Sequence, residues 1–158
     1  MFTGPRITAC VVALLAAAPA AWATGTHGAV HYTFGSPATA AEATRTVAVR
    51  LTDALRIDLD LPAVHRNEVV RFVVTNTGAA PHEFTIGDRA SQRAHAAMMA
   101  QMPDMKHQDD ATALTLAPGE TRELTWRFDK DVKDFVEFAC QIPGHYDGGM
   151  VSRAAFVK

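Results

Sequence analysis

From residue 46 onward, apolar residues recur at every second position in short runs. Thr46–Leu51 puts Val47, Val49 and Leu51 on one side, and Leu55–Leu59 does the same with Leu55, Ile57 and Leu59. Glu68–Thr75 aligns Val70, Phe72 and Val74. His82–Ile86, Ala113–Leu116, Glu123–Phe128, Phe135–Cys140 and Val151–Val157 continue the series. A period of two is that of a half-buried strand. Asn76-Thr77-Gly78 and Gly87-Asp88 separate the runs, as does Ala117-Pro118-Gly119-Glu120, whose central Pro-Gly suits a type II turn. About eight short strands with frequent turns predict an all-β chain folded as an antiparallel β-sandwich. One stretch breaks the pattern: residues 89–102 are helix formers and Pro103 ends them. That predicts one short helical insertion, about residues 89–110, in a single domain spanning 46–158.

Two segments precede this domain. Residues 1–23 read as a secretory signal peptide: Arg6 is the positive n-region, Ile7 to Ala18 is an apolar run too short to span a bilayer, and Ala21-Trp22-Ala23 fits small-x-small cleavage. Cleavage after Ala23 implies a periplasmic protein with no membrane span in its mature form. Residues 24–45, rich in Gly, Ala, Thr and Ser, are expected to be a flexible N-terminal arm. Losing the leader removes one basic residue and no acidic one, so a formal charge of −2 becomes −3. Such a balance carries no nucleic-acid signature. It also removes Cys10, one of two cysteines, leaving Cys140 with no disulfide partner. A lone thiol in an oxidising compartment is a hazard unless buried or bound.

Cys140 opens the most informative stretch: Cys140-Gln141-Ile142-Pro143-Gly144-His145-Tyr146-Asp147-Gly148-Gly149-Met150. It leaves one strand and enters the next, so its Cys, His and Met can meet. Thiolate, imidazole and a weak thioether, completed by a second imidazole, are the ligands of a blue-copper electron-transfer centre. His82, at the start of a strand after Gly78-Ala79-Ala80-Pro81, is the best second imidazole. Zinc prefers a set without the Met. A binuclear copper site needs a second Cys here, and a Cys–His nucleophile has no orienting third group. The expected cofactor is one type 1 copper on His82, Cys140, His145 and Met150. Pro143, Tyr146, Pro81, Ala79 and Ala80 would form an apolar rim where a partner approaches His145.

These features resemble the cupredoxins, the plastocyanin/azurin superfamily, over roughly Thr46 to Lys158. The C-x4-H-x4-M spacing is similar to that of rusticyanin. His82-Glu83-Phe84, Gly87-Asp88, the Met- and His-bearing insertion and Ile142-Pro143-Gly144-His145-Tyr146 with Gly149-Met150 resemble the periplasmic cupredoxins of bacterial copper tolerance. The resemblance implies a Greek-key sandwich in which His82, Cys140 and His145 are equatorial ligands and Met150 is axial. One departure is Glu83: many electron carriers have Asn or Ser after the first His.

The insertion holds His95, Met98, Met99, Met102, Met105 and His107. On a helix, His95, Met98, Met99 and Met102 share a face. Either that stripe packs the helix on the sandwich, or it is a second, Cu(I) site of soft thioethers. His27 and His31 on the arm could add a weaker one. The expected function is one-electron transfer and copper binding in copper tolerance, in a blue or green copper protein that is not an enzyme. The alternatives are a respiratory electron carrier and a copper chaperone delivering Cu(I). The chain has no His-x-His motif, which argues against a multicopper oxidase or nitrite reductase. The expected partner is a redox or copper-handling protein docking near His145, and the expected state is a monomer.

Overall fold

The computed structural model describes Met1, residues 31–102 and residues 110–158. The signal segment after Met1, His27, Met105 and His107 lie outside the described residues. Ten strands form two five-stranded sheets. The first is ordered β1 (Ser36–Pro37), β8 (Thr121–Arg127), β5 (Val69–Asn76), β2 (Arg45–Thr52) and β3 (Arg56–Leu59). The second is ordered β4 (Ala63–His65), β10 (Val151–Val157), β9 (Phe135–Ala139), β6 (His82–Gly87) and β7 (Ala113–Leu116). The expected sandwich is present, but both sheets are mixed rather than wholly antiparallel. β2 pairs with β5 in parallel, Val47 opposite Phe72, and β10 pairs with β4 in parallel. A period of two marks a strand's buried face and says nothing of its neighbour's direction.

The inward side chains of the two sheets make one core. Val47, Val49 and Leu51 of β2 and Val70, Phe72 and Val74 of β5 are all buried. Phe84 and Phe138 stack at 5.7 Å across the second sheet, and Phe72 of the first packs on both. Among the described residues, no helix is long and apolar enough to cross a membrane.

The expected arm needs correction over residues 31–45. Phe34 is 2% exposed and stacks on Trp126 at 5.0 Å. The Trp126 indole N–H donates to the Phe34 carbonyl, and Ser36–Pro37 pairs with β8. One buried aromatic and a two-residue ladder are enough to dock a segment whose composition looks mobile. Leu55, expected in a strand, instead sits in the β2–β3 turn at φ 56°, and β3 begins at Arg56.

The helix α1 (Arg89–Gln101) forms where expected. Asp88 caps it, its carboxylate accepting from the Ser91 N–H at 2.8 Å. Every residue of β6 is buried because both faces are covered. Phe84 and Ile86 face the core, while Glu83 and Thr85 face α1, as the pleat requires.

Candidate metal centre

β6 begins at His82, β9 ends just before Cys140, and β10 begins just after Met150. Antiparallel pairing of β6 with β9 sets Thr85 opposite Ala139, so the His82 and Cys140 ends lie together. The loop from Cys140 to Met150 then folds back over both. The His145 N–H donates to the Ile142 carbonyl, the Met150 N–H to the His145 carbonyl and the Cys140 N–H to the Met150 carbonyl. Gly144 and Gly149 take φ values of +87° and +98°, a conformation that side chains disfavour.

As a result, His82, Cys140 and His145 bring one ligand atom each within 4.8 Å of one another. The Cys140 Sγ lies 3.3 Å from His145 Nδ1. His82 and Cys140 are buried and His145 is half-buried. Met150 is fully buried, with its backbone tied to Cys140 and His145 at 3.1 Å and 3.0 Å.

The residues fit a soft metal ion. His82 Nε2 bonds to Asp53 at 3.0 Å, while its Nδ1 is buried with no hydrogen-bond partner. A buried polar atom without a partner costs roughly 1–3 kcal/mol, and a coordinate bond would remove that cost. Burial pushes the Cys140 thiol up to about 11, against the pull of the Glu83 and Ile142 backbone N–H groups. A thiolate in this pocket therefore needs a cation beside it. Burial, and then the neighbouring His82, lower the pKa of His145 and keep its imidazole neutral, the form that offers a lone pair.

Two residues that ligand chemistry alone did not reveal brace this centre. Asp53, in the β2–β3 turn, accepts from the Ala79 and Ala80 N–H groups as well as facing His82. Those two N–H donors and His82 hold the Asp53 carboxyl below its usual range. Gly78 makes the approach possible, since a Cβ there would stand 2.2 Å from Asp53 Oδ1. Glu83 is the second brace. Its N–H donates to the Cys140 Sγ at 3.3 Å, and its fully buried carboxylate accepts from the Gln141 N–H at 3.0 Å. No sequence signal marked Asp53; Glu83 was marked only as a departure.

Within the insertion, His95 Nε2 lies 2.9 Å from the Glu83 carboxylate. Burial pulls the His95 pKa down, but the Glu83 carboxylate, by hydrogen bond and charge, raises it overall. Met99 is buried, Met98 half-buried and Met102 49% exposed, so the stripe does not gather on one side of the packed helix. Met98 and His95 line one cavity with Tyr32 and Asp110. His31 is exposed.

No family profile matches the chain. It is 42% identical over 153 residues to the copper-resistant cuproprotein CopI of Rubrivivax gelatinosus, covering 91% of each chain. It is 46% identical over 118 residues to CopI of Vibrio cholerae, covering 74% of this chain and 68% of that one. Among solved structures, auracyanin B superposes with a TM-score of 0.57 at 21% identity, covering 79% of this chain and 97% of that one. An azurin from Methylomonas sp. strain J gives 0.53 at 14% identity, covering 73% and 100%. These two likenesses show the cupredoxin fold.

Proposed function

The chain belongs to the family of CopI copper-resistant cuproproteins, and from that premise we propose that it is a type 1 copper protein of copper tolerance, binding copper and passing single electrons. The observation that carries this reading is the meeting of His82, Cys140 and His145, with the unpartnered Nδ1 of His82 among the candidate ligand atoms. Met150, buried at the end of the same loop, would supply the thioether. Copper bound by a thiolate and two imidazoles supplies a one-electron couple with little change of geometry.

The chain's own residues do the rest. Asp53 fixes the His82 ring through Nε2, so that Nδ1 is the nitrogen left to bind. The Glu83 N–H donates to the Cys140 sulfur and steadies its negative charge. His145, half-buried at the centre's edge, is the route by which an electron enters or leaves. The likeness to cuproproteins in sequence and to auracyanin and azurin in fold supports a carrier rather than an enzyme. The leader read at residues 1–23 supports a periplasmic location.

Met98 in the last turn of α1 and Met102 at its C-cap are four residues apart, one half-buried and the other exposed. Thioethers within reach of solvent favour copper handling, with Cu(I) captured on the insertion, over a dedicated respiratory carrier. Cys140→Ala tests the centre itself. The copper-loaded variant is expected to lose all intense visible absorption, because no thiolate remains to transfer charge. Unchanged colour would overturn the assignment.

A further inference from the structure

α1 and the ligand loop enclose a second feature that electron transfer at His145 does not use. Arg89 and Arg93, four residues apart on α1, share a cavity of about 270 Å³ with Arg153 of β10. Gln141 and Tyr146 also line it. The only carboxylate among the lining residues is Glu137, which is 2% exposed. Both of its oxygens are taken: the Tyr146 hydroxyl donates to Oε1 at 3.0 Å and Arg153 Nε donates to Oε2 at 2.8 Å. Arg153 is thus neutralised. Among the described residues, Arg89 and Arg93 have no carboxylate partner.

The groove therefore carries two arginines with no carboxylate at ion-pair distance among the described residues, on a chain whose formal charge is −2; Arg89 also borders a second cavity with Asp88, Asp131 and Asp134, so Arg93 is the one farther from acidic neighbours. Arg89 is also held in place. The Arg89 and Arg153 guanidiniums stand 5.2 Å and 5.0 Å from the centre of the same Phe135 ring, a cation–π arrangement that limits their freedom.

We propose that this arginine groove is a docking surface for an acidic face of a partner protein. A free small anion fits the site less well. The first-turn N–H of Ser91 is already taken by the Asp88 cap, so no backbone cradle is offered. Arg89 and Arg93 are exposed, where water screens a single ion pair. Several carboxylates spread over a protein surface engage both guanidiniums at once, and Arg and Tyr are residues that protein interfaces favour. The position gives docking a purpose, on the reading that the centre holds copper. Gln141 directly follows Cys140 and Tyr146 directly follows His145, so a protein seated here lies one residue from two members of the centre.

The test uses the mature chain, and its first arm needs no copper. In ¹⁵N-edited NMR, hexaglutamate is expected to shift the signals of Arg89, Arg93, Gln141 and Tyr146, and hexalysine is not. Arg89→Gln with Arg93→Gln should abolish those shifts. Inorganic phosphate shifting the same signals at the same concentration would make this a small-anion site and overturn the docking proposal, as would no response to hexaglutamate. In the second arm, the unsubstituted protein and the double variant are loaded with copper. Equal intense colour is expected in both, and absent colour in the unsubstituted protein would reject the metal centre while leaving the result of the first arm to decide the groove.

Discussion

Asp53 and His82 sit 29 residues apart in sequence, and Asp53 Oδ1 meets His82 Nε2 at 3.0 Å. The contact occupies Nε2 and leaves the buried Nδ1 without a hydrogen-bond partner. A turn residue therefore orients a buried imidazole, a candidate ligand, that begins a strand in the other sheet. Asp53→Ala is expected to weaken copper binding by about 10–100-fold, the usual effect of removing the partner of a ligating imidazole. Competition with a chelator of known affinity measures this. Gly78→Ala should act in the same direction, since its Cβ would displace the Asp53 carboxylate. Unchanged affinity in both variants would remove Asp53 from the centre.

His95 is expected to contribute stability through Glu83, with a definite dependence on pH. Its folded pKa is raised above the ordinary 6.5. The contribution is therefore complete below pH 6.5 and is lost as pH rises through the folded value. In urea unfolding without metal, the gap between the parent and His95→Gln should be widest in acid and close toward alkaline pH. A gap that ignores pH would mean that His95 acts by packing alone. Glu83→Ala should cost more, about 3–5 kcal/mol, because it strands both the Gln141 N–H and His95.

Phe34 anchors the segment before β2. Phe34→Ala is expected to cost about 3–5 kcal/mol of unfolding free energy, as for other large buried aromatics. Urea denaturation gives the number directly. A loss under about 1 kcal/mol, the range of surface substitutions, would mean that this segment adds little.

Cu(I) titration separates the two copper functions. Replacing Met98 and Met102 by Leu should lower the number of Cu(I) ions bound per chain without changing the visible spectrum of the centre. Equal stoichiometry would leave the insertion with a structural role alone.

The parts of this molecule that could be read in advance are those where residue type and local spacing carry the chemistry. Cys140, His145 and Met150 lie in one loop, and few metals take that donor set, so His82 could be sought as the missing imidazole. The eight longer strands announced themselves by their period. What stayed hidden depends on contacts across long separations. β4 has three residues, too few for a period to show. The parallel pairing of β2 with β5 leaves no mark in either strand. The Met stripe of the insertion reads as a packing face or a Cu(I) site, and neither reading foresees that the sheet beneath it presents Glu83, Thr85 and Glu137. The helix answers with Gln92, whose amide meets Thr85 and the Glu137 carbonyl, and with His95 on Glu83. Phe34 was obscured by the small residues around it.

The pleat of β6 has a consequence for how errors in this protein would travel. His82 and Glu83 are adjacent and face opposite ways, one toward the loop and the other toward the helix. A slip of one residue in the ladder would exchange an imidazole for a carboxylate at the metal and place the imidazole under α1. The donor set is thus guarded by strand register, held by pairs such as His82 with Leu116 and Ile86 with Phe138. Substitutions that loosen pairs farther along the strand, Ile86 with Phe138 among them, would behave as changes to the metal centre itself.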